Sequence, residues 1–227
     1  MGKDFMGKRL ILFVTLIINL LSLTACYSPM SIEQCFSCCF RIVCSNESRY
    51  DSIGTAFCIS ADTLITNAHI ISYSDDGQKS LYPEIRIIPY GSDSEFFLRV
   101  EFVDFEKDYA VLKPIDSNLT FEHFLKIGSS STLKIGDQLS TIGNLNDFGL
   151  CYNVGFLSSY KKIIQNDLSY NEYYQTNIEI SKGNSGGPVL NKNNEVVGIM
   201  TLKLRDSNYE YIDGASFFIP IEVIYAH

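Results

Sequence analysis

The fold class that the sequence predicts is all-β, with its strands arranged in sandwiches or barrels. Short runs rich in β-branched and aromatic residues, such as GTAFCIS, EIRIIPY and EVVGIMTL, recur along the chain and are separated by Gly, Asn, Asp or Ser. Such spacing favours sheets closed or stacked on each other over alternating strands and helices. The composition, 46% hydrophobic and 19% charged in 227 residues, is that of a globular protein with a sizeable core.

The first 25 residues are typical of an export signal and not of the fold. Three basic residues precede an apolar run from Leu10 to Leu23, which at about 14 residues suits a signal peptide and is short for a membrane span. The run ends in Leu-Thr-Ala-Cys26, which resembles the lipobox of bacterial lipoproteins, whose Cys is lipidated. The alternatives are an ordinary secretory peptide cleaved nearby, leaving a periplasmic or secreted protein, and an uncleaved anchor. We expect export in each case. In the lipoprotein interpretation, which we adopt, lipidated Cys26 is the membrane attachment.

The charge balance excludes two classes of partner. Removing residues 1–25, which carry three basic residues and one acidic residue, changes the formal net charge from −8 to −10. A strongly acidic body repels nucleic acid and anionic headgroups. We therefore expect no nucleic-acid partner, and we expect membrane attachment to come from acyl chains alone.

The cysteines have two possible roles. The residues other than Cys26 are Cys35, Cys38, Cys39, Cys44, Cys58 and Cys151. Four of them lie in CFSCCFRIVC, which has a zinc-like spacing, but no second CxxC pair or nearby histidine completes a site. Because an exported chain favours oxidation, we expect no metal, and disulfides or free buried thiols remain open. Residues 26–40 are expected to form a Cys-rich linker ahead of one domain at 41–225.

The hexapeptide GNSGGP, from Gly183 to Pro188, surrounds one serine with three glycines. A serine hydroxyl is a weak nucleophile that needs an adjacent base, and the base needs a partner that fixes its tautomer. The tetrahedral intermediate also needs backbone N–H donors aimed at its oxyanion. The glycines would let the Gly183 and Ser185 amides converge on one point and leave room for a substrate backbone.

A base and its partner are available upstream of the serine. Of the three histidines, His69 ends a β-branched run, LITNAHII, whereas His123 and His227 match no functional block and are expected to face solvent. Asp108 directly precedes the apolar run YAVLKP, and this pattern favours it over nearby Asp104.

These blocks, in this order, resemble the protease domain of the HtrA/Deg family within the trypsin-like (chymotrypsin-fold) serine peptidases. The matching blocks are GTAFCIS…LITNAHI, DYAVLKP, TIGNLNDFGLCYNVGFLSS, QTNIEISKGNSGGPVLN, EVVGIMTL and GASFFIPIEVI, between about Ile42 and Ile224. The resemblance implies two six-stranded antiparallel β-barrels, at about 41–115 and about 130–225, with the active site in the cleft between them. The polar segment from Asp116 to Ser131 would bridge the barrels.

The resemblance also implies roles for individual residues. His69 would be the general base, Asp108 its orienting carboxylate and Ser185 the nucleophile, with the Gly183 and Ser185 amides as the oxyanion hole. The residues expected to line the substrate pocket are Thr201, Leu202, Lys203, Gly214 and Ser216. Glu179, six residues before Ser185, stands at the position of the pocket floor, where it would pair with a basic P1 side chain; the alternative is that it points to solvent.

The sequence departs from the family pattern at two places. Asn184 replaces the aspartate that pairs with a new N-terminal ammonium in digestive relatives, so we expect activity without zymogen cleavage. No PDZ module follows the FFIPIEV segment, so regulation by such a module is expected to be absent or supplied otherwise, and the oligomeric state is open.

Two functions fit these observations. The first is a serine endopeptidase of the cell envelope that acts on polypeptides through an acyl-enzyme and needs no cofactor. The second is a protease-fold binding or chaperone-like protein with little proteolytic activity. The intact Ser, His and Asp set and the glycine-rich loop favour the enzyme, because a protein without activity is free to lose them.

Overall fold

The structure, a computed structural model, describes residues 29–46, 49–166, 169–205, 208 and 211–225. The expected export signal, Cys26 and His227 lie outside these residues. The described part contains fourteen β-strands, two short α-helices and one 3-10 turn. Neither helix in this part of the chain is long and apolar enough to cross a membrane.

The first barrel is formed by the N-terminal half of the described chain. Its strands are β1 (Cys39–Asn46), β2 (Arg49–Ser60), β3 (Thr63–Thr66), β6 (Glu84–Pro89), β7 (Phe96–Asp104) and β8 (Tyr109–Pro114). They close in the order β1-β2-β3-β8-β7-β6, and every pair is antiparallel. Two further strands, β4 (Ser72–Asp75) and β5 (Gln78–Leu81), make a separate hairpin.

The second barrel is formed by the C-terminal half. Its strands are β9 (Gln138–Asn144), β10 (Leu150–Asn166), β11 (Ser169–Thr176), β12 (Pro188–Leu190), β13 (Val196–Arg205) and β14 (Tyr211–Pro220). They close in the order β10-β11-β14-β13-β12-β9, again antiparallel throughout. The all-β class with two closed six-stranded barrels is therefore confirmed. A short helix, α2 (Glu222–Tyr225), follows β14.

The N-terminal segment differs from the linker expected for residues 26–40. Helix α1 (Ile32–Ser37) starts with a capping box, in which the Gln34 amide donates to Ser31 Oγ at 3.2 Å and the Ser31 amide donates to the Gln34 side chain at 2.9 Å. Strand β1 then begins at Cys39. Residues 32–40 thus belong to the folded body, because their apolar side chains complete the interior of the first barrel.

The cysteines of this segment are core residues. Cys35, Cys38, Cys39, Cys44 and Cys58 are all fully buried, and none of these five described residues forms a disulfide in this structure. Burial raises the pKa of Cys35 to about 11, which keeps its thiol protonated and unreactive at neutral pH. No group of three or more ligand-type side chains among the described residues is arranged to hold a metal.

The segment between the barrels is fastened to both of them. The Phe121 amide donates to the Ala61 carbonyl at 2.8 Å in the first barrel. The Gly128 amide donates to the Val196 carbonyl at 2.8 Å in the second. A 3-10 turn (Ser130–Thr132) then leads into β9, and Glu222 of α2 accepts hydrogen bonds from its serines. The polar sequence of this segment makes a bridge because its backbone finds partners on either side.

Candidate active site

The three residues expected to carry the chemistry lie at ends of elements that meet between the barrels. His69 follows β3, Asp108 immediately precedes β8, and Ser185 lies in the loop before β12. Thr66, at the end of β3, pairs with Ala110 near the start of β8. This antiparallel register brings the residues just outside each strand to the same edge of the first barrel, which is why His69 and Asp108 are neighbours.

The imidazole of His69 is held by the carboxylate of Asp108. Its Nδ1 lies 2.8 Å from Asp108 Oδ2 and 3.0 Å from Oδ1. The backbone N–H of His69 donates to the same Oδ1 at 2.9 Å. Because a carboxylate only accepts hydrogen bonds, the neutral ring carries its proton on Nδ1, and Nε2 is left with a free lone pair.

Asp108 is in turn held from behind by a buried polar network. Thr201 Oγ1 accepts from Asn67 Nδ2 at 2.7 Å, so its hydroxyl proton is directed to Asp108 Oδ2 at 3.0 Å. Asn67 Nδ2 also donates to the Asp108 carbonyl at 2.8 Å. Asp108 has a φ of +56°, a conformation that a non-glycine residue keeps only when its surroundings hold it.

The environment of His69 shifts its protonation. Burial lowers the pKa of His69, but the charge of Asp108 and its hydrogen bond raise it by more, so the pKa lies above the usual 6.5. The side chain of His69 remains 47% exposed, whereas that of Asp108 is 18% exposed. The imidazole therefore has a buried face toward the carboxylate and an open face toward the cleft.

Two consecutive β-turns build the loop around Ser185. The Asn184 amide donates to the Ser181 carbonyl at 3.2 Å, and the Gly187 amide donates to the Asn184 carbonyl at 3.1 Å. In each turn only the third residue has a positive φ, +91° at Gly183 and +85° at Gly186. This is the type II pattern, which favours glycine or asparagine at that position.

This pair of turns leaves two amides free at the cleft. A β-turn uses the N–H of its fourth residue and leaves those of its second and third residues unused. Gly183 is the third residue of the first turn, and Ser185 is the second residue of the second turn. Within the described part of the chain neither amide has an acceptor, and both residues line the cleft.

The glycines also admit the chain's own backbone. A Cβ on Gly183 would lie 2.2 Å from the Asn144 carbonyl oxygen, and one on Gly186 would lie 2.1 Å from that of Thr55. Both distances are far below van der Waals contact. The room left by these glycines is thus filled by backbone atoms of the two barrels.

Ser185 faces the cleft, and among the described residues no hydrogen bond joins its hydroxyl to His69. Its Oγ donates to the carbonyl oxygen of Thr201 at 2.8 Å. His69 and Ser185 line the same open cleft, of about 570 Å³. Rotation about χ1 of Ser185 is the movement that exchanges the Thr201 carbonyl for another acceptor.

The cleft bears only part of the expected substrate pocket. Leu202 and Lys203 line it, together with Ile180, Lys182 and Tyr211. The Thr201 side chain is instead turned toward Asp108, where it is 3% exposed. Gly214 and Ser216 do not line the cleft; Ser216 is fully buried within β14, opposite Thr176 and Lys203.

Glu179 is not at the pocket floor. Ile178 and Ile180 on either side of it are buried, and alternation along an extended segment points the side chain between them outward. The Glu179 side chain is 63% exposed and its Oε2 lies 2.6 Å from Lys203 Nζ. Glu179 therefore points outward in this structure, as in the alternative named above, and does not lie at the pocket floor.

The positive charge of Lys203 is balanced by two carboxylates at the edge of the cleft. Its side chain is 8% exposed and pairs with Glu179 and, at 3.5 Å, with Asp213. Burial lowers the pKa of Lys203, but the two carboxylates raise it by more, so the amine stays charged. The apolar side chains in this part of the cleft are Ile180, Leu202 and Tyr211.

Two further residues, which the sequence did not indicate, support the site. The hydroxyl of Thr55, in the first barrel, donates to the Gly183 carbonyl at 2.6 Å and accepts from the Asn144 amide at 2.9 Å. The Thr55 amide donates to the Ser185 carbonyl at 2.9 Å. Asn67 is the other, through Thr201. The available signal was a polar residue inside an apolar run, GTAFCIS for one and LITNAHII for the other.

Asn184 is buried beneath the first turn. Its Oδ1 accepts from the Ser181 amide at 3.0 Å, and Gly143 packs so closely that a Cβ there would lie 2.6 Å from Asn184 Nδ2. The side-chain amide of Asn184 therefore stabilises the turn by a neutral hydrogen bond.

His123 is exposed, as the sequence predicted, and lies in the bridge between the barrels.

Comparison with known proteins shows that this chain is similar to peptidases. Residues 54–199 match the family model described as the trypsin-like peptidase domain. DegP-like periplasmic serine endoproteases of Pseudomonas putida and Halomonas elongata are 33% and 35% identical over 174 and 176 residues. Each alignment covers 76% of this chain and 33% of the relative. The chain thus spans about a third of the length of the curated relatives that it matches.

Solved structures share the fold. The HtrA-type protease AlgW with a tripeptide superposes with a TM-score of 0.72 at 24% identity, over 86% of this chain and 60% of that one. AlgW with a decapeptide gives 0.67 at 23% identity, over 85% and 63%. Both agree with the two-barrel architecture described above.

Proposed function

The chain belongs to the trypsin-like peptidase domain family, and we propose that it is a serine endopeptidase. In this proposal Ser185 is the nucleophile, His69 is the general base and Asp108 is the carboxylate that orients His69. The observation that carries the proposal is that one cleft holds a carboxylate-supported imidazole, a serine hydroxyl and two unused amides. This is the set of groups that acyl transfer requires.

The proposed reaction begins with a rotation of Ser185. Its hydroxyl leaves the Thr201 carbonyl and donates its proton to Nε2 of His69 as Oγ attacks the scissile carbonyl carbon. The negative charge that develops on the carbonyl oxygen accepts hydrogen bonds from the Gly183 and Ser185 amides. Asp108 stabilises the imidazolium without taking its proton, and Thr201 and Asn67 keep the carboxylate in place.

Collapse of the tetrahedral intermediate completes the first half of the reaction. The imidazolium gives its proton to the leaving amine, which departs and leaves Ser185 acylated. A water molecule then gives a proton to His69 as it attacks the ester carbon. The imidazolium returns that proton to Ser185 Oγ as the ester C–O bond breaks and the carboxylic acid product leaves. No step needs a group beyond those of the chain and water.

The proposed substrate is an extended polypeptide. The Thr201–Lys203 segment offers a backbone edge against which a substrate strand can pair, and AlgW, which shares the fold, was solved with peptides bound. Ile180, Leu202 and Tyr211 make the neighbouring surface apolar, and Lys203 is already paired. We therefore propose an apolar P1 side chain and not a basic one.

We propose that the enzyme works in the cell envelope. The curated relatives are named as periplasmic endoproteases, and the N-terminal sequence ends in a lipobox-like Cys26. Both support export, and lipidation of Cys26 would hold the acidic catalytic body at a membrane surface.

A fluorophosphonate probe tests the assignment of the nucleophile. The wild-type chain lacking residues 1–26 should be labelled and should cleave an unfolded protein, whereas Ser185→Ala should lose labelling and lower turnover by roughly 10⁴-fold or more with little change in stability. Ser181→Ala, in the same loop, is the matched control and should still be labelled.

The same experiment separates the enzyme from the alternative. A protease-fold binding protein would show the same unfolded-protein binding in wild type and Ser185→Ala, with no labelling and no turnover in either. That result would contradict the proposal.

A further inference from the structure

We propose that the ion pair between Arg41 and Asp147 positions the oxyanion-binding turn, the turn Ser181–Asn184, across the boundary between the two barrels. The inference rests on the proposed function and adds two positioning residues to it. It is carried by a continuous series of contacts that leads from strand β1 to the Gly183 amide.

The ion pair joins the barrels at one rim of the cleft. Arg41 lies on β1 of the first barrel, and Asp147 lies in the turn between β9 and β10 of the second. The guanidinium donates through Nε to Asp147 Oδ1 and through Nη2 to Oδ2, the latter at 3.0 Å. This two-bond fork fixes the orientation of both groups and not only their distance.

The turn that carries Asp147 needs such support. It spans Leu145–Phe148 and is closed by the Phe148 amide, which donates to the Leu145 carbonyl at 2.7 Å. Its central residues, Asn146 and Asp147, have φ of +46° and +65°, and neither is glycine. Phe148 is 88% exposed and contributes little packing. Positive φ at two successive residues is the type I′ pattern, in which Asn and Asp are the non-glycine residues that tolerate the left-handed backbone best. Contacts to the Asp147 carboxylate, from Asn144 Nδ2 at 3.4 Å and from Arg41, add to the stability of the turn.

This turn determines which way one peptide of the oxyanion-binding turn points. The Asn146 amide donates to the Lys182 carbonyl at 2.8 Å. In a planar trans peptide the C=O of Lys182 and the N–H of Gly183 point in opposite directions. Holding the carbonyl against Asn146 therefore directs the Gly183 amide into the cleft.

Loss of this contact would allow the opposite orientation. A rotation of the Lys182–Gly183 peptide by half a turn converts a type II turn into type I and places the Lys182 carbonyl where the amide had been. A carbonyl oxygen at that point would repel an oxyanion. Arg41 thus acts on the reaction through Asp147, Asn146 and Lys182, without touching the substrate.

Kinetic comparison of Arg41→Gln and Asp147→Asn tests this inference. Each variant should lower kcat on a peptide substrate by about fivefold, as expected for a partly exposed fork, with KM changed by less than twofold. The rate of fluorophosphonate labelling should fall in parallel, because both reactions develop an oxyanion. The double variant should be no slower than either single one, since both changes break the same contact.

Two controls distinguish positioning from general stability. Lys113→Gln removes an ion pair within the first barrel, in which Lys113 Nζ lies 3.0 Å from Asp62 Oδ2. The side chains of Lys113 and Asp62 are 30% and 54% exposed, similar to the 30% and 42% of Arg41 and Asp147. This variant should leave kcat unchanged. Arg41→Lys keeps one charged contact and should recover part of the lost kcat.

The results that overturn the inference are distinct from those that overturn the proposed function. If wild type cleaves peptide and Ser185→Ala does not, but Arg41→Gln and Asp147→Asn match Lys113→Gln, the ion pair does not position the turn. Additive losses in the double variant, or losses only in KM, overturn it as well. Absence of labelling in wild type would instead contradict the proposed function.

Discussion

At the scale of single residues, the proposed chemistry depends on the side of His69 that Asp108 occupies. The carboxylate holds Nδ1, so the lone pair on Nε2 faces the cleft. Thr201 and Asn67 make this arrangement one-directional, because the Thr201 hydroxyl already accepts from Asn67 and has only Asp108 left as its acceptor. Substituting any member of this series should therefore affect both the position and the protonation of the base.

Asp108→Asn should lower kcat and move the acid limb of the pH–rate profile. An amide that donates to Nδ1 favours the wrong tautomer, which costs roughly 10⁴-fold in kcat in the triad of a related peptidase. Burial and the charge of Lys79 would then act on the ring without opposition, so the pKa of His69 should fall and the acid limb should shift to lower pH. The measurement is kcat against pH for both proteins.

The same pKa shift has a defined sign in folding. Since the folded-state pKa of His69 is raised, its stabilising contribution is complete below the unfolded value of about 6.5 and is lost as pH rises through the folded-state pKa. Glu106→Gln, in the same β7–β8 connection, is the control. It should change neither the pH–rate profile nor the pH dependence of the free energy of unfolding. An unshifted acid limb in Asp108→Asn would show that Asp108 does not control the base.

At the scale of elements, the loop from Ser181 to Gly187 works as two joined turns. Each needs a positive φ at its third residue, and each brings that residue against another part of the backbone. A side chain at Gly186 would meet both the Thr55 carbonyl and, at 2.3 Å, Thr66 Oγ1. The loop therefore tolerates glycine alone for two independent reasons, the dihedral angle and the space.

Gly186→Ala separates these two reasons when it is compared with Gly77→Ala. Gly77, in the β4–β5 turn, also has a positive φ, but a Cβ there meets nothing within 4 Å. The control should lose about 1 kcal/mol of unfolding free energy for the dihedral angle alone. Gly186→Ala adds overpacking and should lose about 3 kcal/mol, measured by urea unfolding. Equal losses would show that the packing contacts yield without cost.

At the scale of the whole molecule, neither barrel contains the site by itself. The first supplies His69 and Asp108, and the second supplies Ser185 and the oxyanion-binding turn. Thr55 connects them, since its amide and hydroxyl bond to the Ser185 and Gly183 carbonyls. The relative position of the barrels is thus determined at the point where the reaction would occur.

The proposed anchor also belongs to this scale. In the full-length protein, Cys26→Ala should move the chain from the membrane fraction to the soluble fraction without changing its activity on peptides. The reason is that acyl chains, and not a body of net charge −10, would carry the attachment. Cys151→Ala is the control and should stay with membranes. If Cys26→Ala still sediments with the membrane fraction, another segment attaches the protein to the membrane.

The sequence predicted the fold class because short β-branched runs with turn residues between them specify strands locally. It also indicated His69, Asp108 and Ser185, because their motifs are local too. It did not indicate Thr55 or the Arg41–Asp147 pair, since the partners lie 128 and 106 positions apart. Glu179 was assigned to a pocket floor by counting back from Ser185, and counting does not say which way an extended side chain points.

What the sequence by itself determined is which residue types stand beside strand ends and where glycine permits a turn, because these depend on neighbours in the chain. Tertiary structure alone decided that Asn146 holds the Lys182 carbonyl, that Thr201 turns to Asp108 and that Glu179 pairs with Lys203. Those contacts exist only after two barrels close and meet. Their donors and acceptors are ordinary polar groups, and the distance between them is fixed by packing.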